Sequence, residues 1–214
     1  MAKKTRKELL SAPDEFITTS STILKWVKEN PTRFISLIGI VVLLFASGFG
    51  FYYWKTSRET TAMIAYSIAF QDSAKTLEVS QSYADTAAGE LAKLRLARMS
   101  YSQGDSAMAI SHADDFINAW GQEDMFYWQA VLIMALAYMD QNTIDASLPL
   151  LEKCIKKGPP TIKDQALFYK ATALIRLEKH DEAAEALQQV SGWYEDIAKV
   201  TLSDLNTTET SNAE

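Results

Sequence analysis

Residues 166–190 read ALFYKATALIRLEKHDEAAEALQQV. Apolar residues recur every three or four positions on both sides of a short polar stretch around Glu178, which indicates two amphipathic helices joined by a turn. Neither half shows the alternation of apolar and polar residues that is typical of a β-strand. The stretch therefore predicts a helix–turn–helix unit, with which the rest of the chain can be compared.

Two earlier segments align with this unit. Residues 91–116 and 131–155 place their turns at Gly104 and Asn142, so that the three turns are 38 and 36 residues apart. A period in the mid-thirties built from two helices is typical of a helical solenoid, in which neighbouring units bury each other's apolar faces. We predict an all-α domain of about three such repeats, closed by a capping helix whose covering residues are Trp193, Tyr194, Ile197 and Val200.

Small residues recur at matching positions of the three units, at Ala97, Ala135 and Ala171 in the first helix and at Ala109, Ser147 and Ala183 in the second. This pattern resembles the tetratricopeptide repeat, in which small residues let the two helices pack closely. Because alanine is common at helix contacts in any bundle, a generic helical bundle is the alternative.

A second feature is an uncharged apolar run, FISLIGIVVLLFASGFGFYYW, at residues 34–54. At ~1.5 Å per residue, a helix of this length spans roughly 30 Å, the thickness of a bilayer core. Seven Lys and Arg residues precede the run and few follow it closely, so we expect a transmembrane helix with a cytoplasmic N-terminus and an exported C-terminal domain. A cleaved signal peptide is the alternative, although the 33 residues before the run are long for one.

The anchor divides the chain into segments of opposite charge. Residues 1–33 form a basic tail with a short amphipathic helix, and residues 55–82 are predicted to be one long helix that leads to the repeat domain at 83–204. The polar residues 205–214 are predicted to be disordered. Residues 55–214 carry 14 basic and 23 acidic side chains, and this acidic character argues against nucleic acid as a partner.

The layout resembles a known bacterial family. The opening KKTRKELLSAPDEF at residues 3–16, an Asn30-Pro31 pair before a single anchor, and degenerate tetratricopeptide units are similar to the family that contains the ancillary subunit of the SecYEG translocon. The resemblance implies a single-pass protein of the bacterial inner membrane with its C-terminal domain in the periplasm. It also implies that this domain binds other proteins, such as the translocon, periplasmic chaperones or envelope proteins.

In tetratricopeptide arrays the first helices line a groove, and the resemblance implies a partner-binding site there. A mainly apolar groove with two arginines favours a hydrophobic or helical segment as ligand. The alternative is that the same residues pack against the chain's own helix at 57–80 or its C-terminal helix. The residues placed in the groove are Leu94, Arg98, Tyr101, Leu132, Leu136, Met139, Phe168, Thr172, Ile175 and Arg176.

The sequence offers little support for catalysis. His112 and His180 are isolated from other ligand-type residues, and motifs that cradle phosphate or activate a nucleophile do not occur. The single Cys154 cannot form an internal disulfide and is predicted to be a core residue. We therefore expect an interaction module without enzymatic activity, cofactor or metal. A self-associating structural scaffold of a cell-envelope complex is the alternative.

Overall fold

The computed structural model describes residues 15–212. Within this range the chain forms ten α-helices and one short 3₁₀ helix without any strand, which confirms the all-α prediction. The helices are α1 (Glu15–Glu29), α2 (Pro31–Ile68), α3 (Ser73–Ser82), α4 (Ala87–Ser102), α5 (Ser106–Trp120), α6 (Met125–Asp140), α7 (Ile144–Lys157), α8 (Pro160–Arg176), α9 (His180–Gln188) and α10 (Glu195–Asn212), and the 3₁₀ helix is Gly192–Tyr194.

The chain divides into two compact units, the first ending at Ser57. In the first unit, α1 is the predicted amphipathic helix of the N-terminal segment. The part of the predicted basic tail at residues 1–14 lies outside the described residues. Helix α2 begins at Pro31, where a missing N–H costs nothing. An 18-residue window of α2 has a mean hydropathy of 2.4 and no buried residue. By length and composition, α2 is a candidate membrane span.

In the second unit, from Arg58 onward, helices pair into hairpins that share one turn geometry. The turn after the first helix of each hairpin contains a residue with a positive φ, at Gly104 (79°), Asn142 (58°) and Glu178 (60°). These are the three turn positions predicted from the repeat. The small residues expected at the contacts between helices are all fully buried, with 0% exposure at Ala97, Ala109, Ala135, Ser147, Ala171 and Ala183.

A fourth hairpin precedes the three predicted ones and corrects the expectation of a single helix over residues 55–82. Helix α2 ends at Ile68, Gln71 adopts a φ of 68°, and α3 begins after Asp72, whose carboxylate accepts a hydrogen bond from the Lys75 N–H at 3.0 Å. The chain reverses here without glycine or proline because the Asp72 cap satisfies a free N–H group of the new helix. Four residues after this cap, Thr76 is fully buried, as Ala109 is in the next hairpin.

The added hairpin packs against α4. The Arg95 guanidinium donates to the Tyr66 carbonyl oxygen at 2.6 Å and lies 3.5 Å from the centre of the Tyr66 ring, a cation–π geometry. Beneath this contact, Ala69, Val79 and Ala92 form a buried apolar cluster. The end of α2 is therefore part of the repeat array.

The main apolar cores lie between successive hairpins. The largest includes Trp128, Leu132 and Leu151, and Cys154 is fully buried within it. Burial raises the pKa of the Cys154 thiol to about 12. The prediction that Cys154 is a core residue is confirmed.

The C-terminal helix packs on the array with a different face from the one predicted. Ala198, Leu202 and Leu205 lie against the last core cluster, and Tyr194 packs against Phe168. The buried face of α10 follows from residues spaced four and three apart, which share one side of a helix. The other three residues predicted to cover the array are instead exposed, by 95% at Trp193, 53% at Ile197 and 62% at Val200.

Helix α10 also extends further than expected. It ends at Asn212, whereas residues 205–214 were predicted to be disordered. The stretch contains no glycine or proline, so nothing in its local chemistry stops the helix that begins at Glu195. A polar composition therefore did not by itself end the helix.

Candidate functional site

The first helices of the three predicted hairpins form one continuous face. Helix α4 packs on α6, and α6 packs on α8, so equivalent positions of the three helices lie side by side. We call this surface the first-helix face. In solenoids, stacked repeats of this kind create an extended binding surface.

Three of the ten predicted groove residues do not reach this surface. Leu94, Leu132 and Met139 are 2%, 6% and 3% exposed and belong to the apolar cores. Their burial makes them core residues, and they position the face without contacting a ligand.

Three further predicted residues are half-buried and pack against the cores from the surface side, namely Leu136, Phe168 and Ile175. The Phe168 ring lies 5.6 Å from the Tyr169 ring and 5.4 Å from the Tyr194 ring, measured between centroids. The 3₁₀ helix therefore covers part of the α8 end of the face, in agreement with the alternative that the chain's own C-terminal segment packs there. The segment 58–82, which the alternative also considered, packs against Arg95 and Ala92 of α4.

Both predicted arginines are exposed on the face and are oriented by α6. The Arg98 guanidinium donates to the side-chain oxygen of Gln129, and that of Arg176 donates to the Met139 carbonyl oxygen at 2.9 Å. Each guanidinium carries five N–H donors, so these bonds use a fraction of its capacity. The hydroxyl of Thr172 donates to the Phe168 carbonyl oxygen at 3.0 Å.

A polar cluster joins the three hairpins on this face, and we call it the tyrosine–aspartate cluster (Tyr101, Asp140, Tyr169 and Tyr194). Burial raises the pKa of the Tyr101 hydroxyl, and the charge of Asp140 and its hydrogen bond with Tyr101 raise it further. Burial also raises the pKa of Tyr169 to about 12, with added contributions from Tyr194, Tyr101 and Asp140. Both hydroxyls are therefore neutral hydrogen-bond donors around neutral pH.

Sequence reasoning named Tyr101 but missed Asp140, Tyr169 and the contribution of Tyr194 to this face. A signal for Asp140 was present in the repeat register. Asp140 lies three residues before Thr143, the N-cap of α7, and Arg176 lies three residues before Lys179, the N-cap of α9. The two residues therefore occupy equivalent positions of successive repeats. For Tyr194 no such signal exists, because it lies beyond the third repeat.

The composition of the face suits recognition of a polypeptide. Tyrosine and arginine dominate the binding energy of many protein interfaces, because their large side chains combine apolar area with hydrogen-bonding groups. Here they alternate with half-buried Leu136, Phe168 and Ile175. Because internal hydrogen bonds already order several polar groups of the face, a ligand would meet a preorganised surface.

A family model for the tetratricopeptide repeat matches residues 165–191. The matched segment contains the third unit predicted from the sequence, which forms α8 and α9. Comparison with curated proteins gives no match. Tetratricopeptide repeats generally bind other proteins, so the match supports an interaction role for the array.

Proposed function

We propose that the protein is a membrane-tethered interaction module that binds segments of other proteins through the first-helix face. The observation that carries this proposal is the arrangement of Tyr101, Asp140 and Arg176. Three successive hairpins each contribute a polar or aromatic side chain to one surface, and the pKa of Tyr101 is raised there by burial and by the charge of Asp140. The role proposed is binding rather than catalysis.

The tether in this proposal is the apolar part of α2. Its uncharged length matches a bilayer core, and the excess of Lys and Arg before it favours a cytoplasmic N-terminus. We place the repeat array on the periplasmic side of a bacterial inner membrane. Support for this location comes from the flanking charges and from the resemblance to the family of the translocon ancillary subunit.

Partners follow from the same resemblance and from the surface chemistry. Translocon subunits, periplasmic chaperones or other envelope proteins are the candidate partners. The half-buried apolar residues, including Leu136, favour a partner segment with apolar side chains, for which Arg98 and Arg176 provide additional hydrogen-bond donors.

Orientation is tested with single cysteines in the full chain. An impermeant maleimide should label a cysteine at Gln188, an exposed site on α9, in spheroplasts with intact membranes. A cysteine at Thr5 should be labelled only after the membrane is opened. Labelling of Thr5→Cys in intact spheroplasts, without labelling of Gln188→Cys, would reverse the proposed orientation.

Binding is tested by site-specific photocrosslinking in membranes. A photoreactive residue at Leu136 on the first-helix face is compared with one at Ala146, an exposed position on the second helix of the same hairpin. We expect discrete protein adducts from position 136 and few from position 146. Equal adduct patterns at both positions would contradict a specific role for the face.

A further inference from the structure

The C-terminal segment carries an exposed apolar stripe that the array itself does not use. Trp193, Ile197 and Val200 are 95%, 53% and 62% exposed. Trp193 lies in the 3₁₀ helix that leads directly into α10, and Ile197 and Val200 lie in α10 itself. Their spacings of four and three residues place them on one side of this continuous helical segment. Ala198 and Leu205, which are 2% and 8% exposed, lie on a different side and pack into the last core cluster. The stripe is therefore additional to the contact that holds α10 on the array.

Such a stripe is unusual at the end of a solenoid. Terminal helices of repeat arrays ordinarily present a polar outer face, which keeps the array soluble. A tryptophan that is 95% exposed beside an isoleucine and a valine instead has the spacing of a helix–helix seam. An exposed apolar surface of this kind marks a site of interaction with another protein or a membrane, and its helical register suits a second helix.

We propose that the helix that covers the stripe is α10 of a second copy of this chain, packed antiparallel about a two-fold axis near Ile197. Trp193 and Val200 lie four residues before and three residues after Ile197. Antiparallel pairing therefore sets the large Trp193 ring against the smaller Val200 side chain of the other copy, with Ile197 against its own equivalent. A self-complementary surface of this kind is what a two-fold interface requires.

The charges beside the stripe favour the same arrangement. Asp196 and Lys199 lie beside it, three residues apart and exposed, and Lys199 also forms an ion pair with Glu195 of its own helix at 2.6 Å. In an antiparallel pair centred near Ile197, Lys199 of each copy lies close to Asp196 of the other. A parallel pair would place each of these charges against its own like charge, which is unfavourable.

The area of the stripe sets the strength of the contact. Three such side chains cover roughly 400 Å², about half of the ~800 Å² per partner found in stable interfaces. The pairing is therefore weak between free molecules and becomes effective when both copies are held in one membrane, where the tether raises their effective concentration. In this respect the inference rests on the proposed membrane tether.

The test is disulfide crosslinking of the full chain in native membranes. Cys154 is fully buried, so Ile197→Cys introduces one accessible thiol per chain. Val200→Cys is a matched control of similar exposure. In the proposed register, the two thiols introduced by Ile197→Cys meet at the axis, whereas the two copies of position 200 are displaced by about 10 Å, roughly seven residues of helix. We expect at least about tenfold more disulfide-linked dimer from Ile197→Cys than from Val200→Cys, because that displacement exceeds disulfide reach.

Adding Trp193→Ala to Ile197→Cys should reduce the dimer several-fold, since Trp193 supplies most of the stripe's area. Because the Trp193 side chain is 95% exposed, its removal should not impair folding. Circular dichroism of the variant checks that a loss of dimer does not come from unfolding. Absence of the Ile197→Cys dimer, equal dimer at both positions, or a disulfide at position 197 to a different protein would each overturn the proposal. The same samples report whether the chain is in the membrane fraction, so failure of the tether is recognised separately.

Discussion

Ser147 offers a direct test of how the hairpins pack. It occupies the fully buried small position of the second repeat hairpin, where the neighbouring hairpins have Ala109 and Ala183. The Ser147 hydroxyl oxygen has no hydrogen-bond partner among the described residues. Replacing Ser147 with alanine should therefore stabilise the array, although the substitution removes an atom from the core.

The magnitude follows from three contributions. Removing a buried, unpaired hydroxyl gains about 1–3 kcal/mol, and alanine gains about 0.5 kcal/mol over serine in helix propensity. The lost oxygen is comparable in size with a methylene, so the small cavity costs up to about 1 kcal/mol. The net expectation is a gain of about 1–2 kcal/mol, which raises the Tm of a unit of this size by roughly 2–4 °C per kcal/mol.

The assay is urea unfolding of the full chain in detergent, followed by the fluorescence of the tryptophans in the array, including Trp120 and Trp128. We expect a higher midpoint for Ser147→Ala with an unchanged slope. Ala109→Ser is the reciprocal control and should lower stability, because it buries an unpaired hydroxyl at the equivalent position. A loss of stability in Ser147→Ala would refute the reasoning, since it would mean that the hydroxyl is hydrogen-bonded.

Three other predictions concern the array. Gly89→Ala should cost about 3 kcal/mol in the same urea assay, because a Cβ there would lie 2.0 Å from the Tyr83 carbonyl oxygen; unchanged stability would contradict the close contact. Cys154 should resist iodoacetamide in the native chain and react on unfolding, as a fully buried thiol with a pKa of about 12, and rapid native labelling would contradict its core position. Tyr169 has a pKa of about 12 when folded and about 10 when unfolded, so its contribution is complete below pH 10 and is lost as the pH rises toward 12. Tyr169→Phe should flatten this part of the stability–pH curve, and an identical curve would argue against the shift.

The sequence predicted the repeats well because their chemistry is local. Helical periodicity within each unit predicts the alanines at helix contacts and the turns at Gly104, Asn142 and Glu178. The extra hairpin was missed because Gln71 adopts a left-handed conformation. In a sequence such a turn is ordinarily marked by glycine, and this turn contains none. Its stabilising contacts with Arg95 join residues that are 29 positions apart in the sequence. Contacts over such separations do not follow from helical spacing.

The binding face was harder to predict for a physical reason. Helical spacing defines which residues share a side of α4, α6 or α8, but not how deeply the neighbouring helix covers that side. Leu94 and Leu132 are thus core residues, whereas Asp140 emerges at the surface. Similarly, Ala198 rather than Ile197 faces the array, because the rotation of α10 depends on how the 3₁₀ helix enters it.

The most direct measurement of the central claim is quantitative affinity purification of the full chain from membranes. Asp140→Lys reverses a charge on the first-helix face, and Glu185→Lys makes the same change at an exposed position on α9. We predict that the recovered partner proteins fall about tenfold with Asp140→Lys, corresponding to about 1.4 kcal/mol, and are retained with Glu185→Lys. Equal recovery with both variants, or equal loss, would contradict binding through the first-helix face.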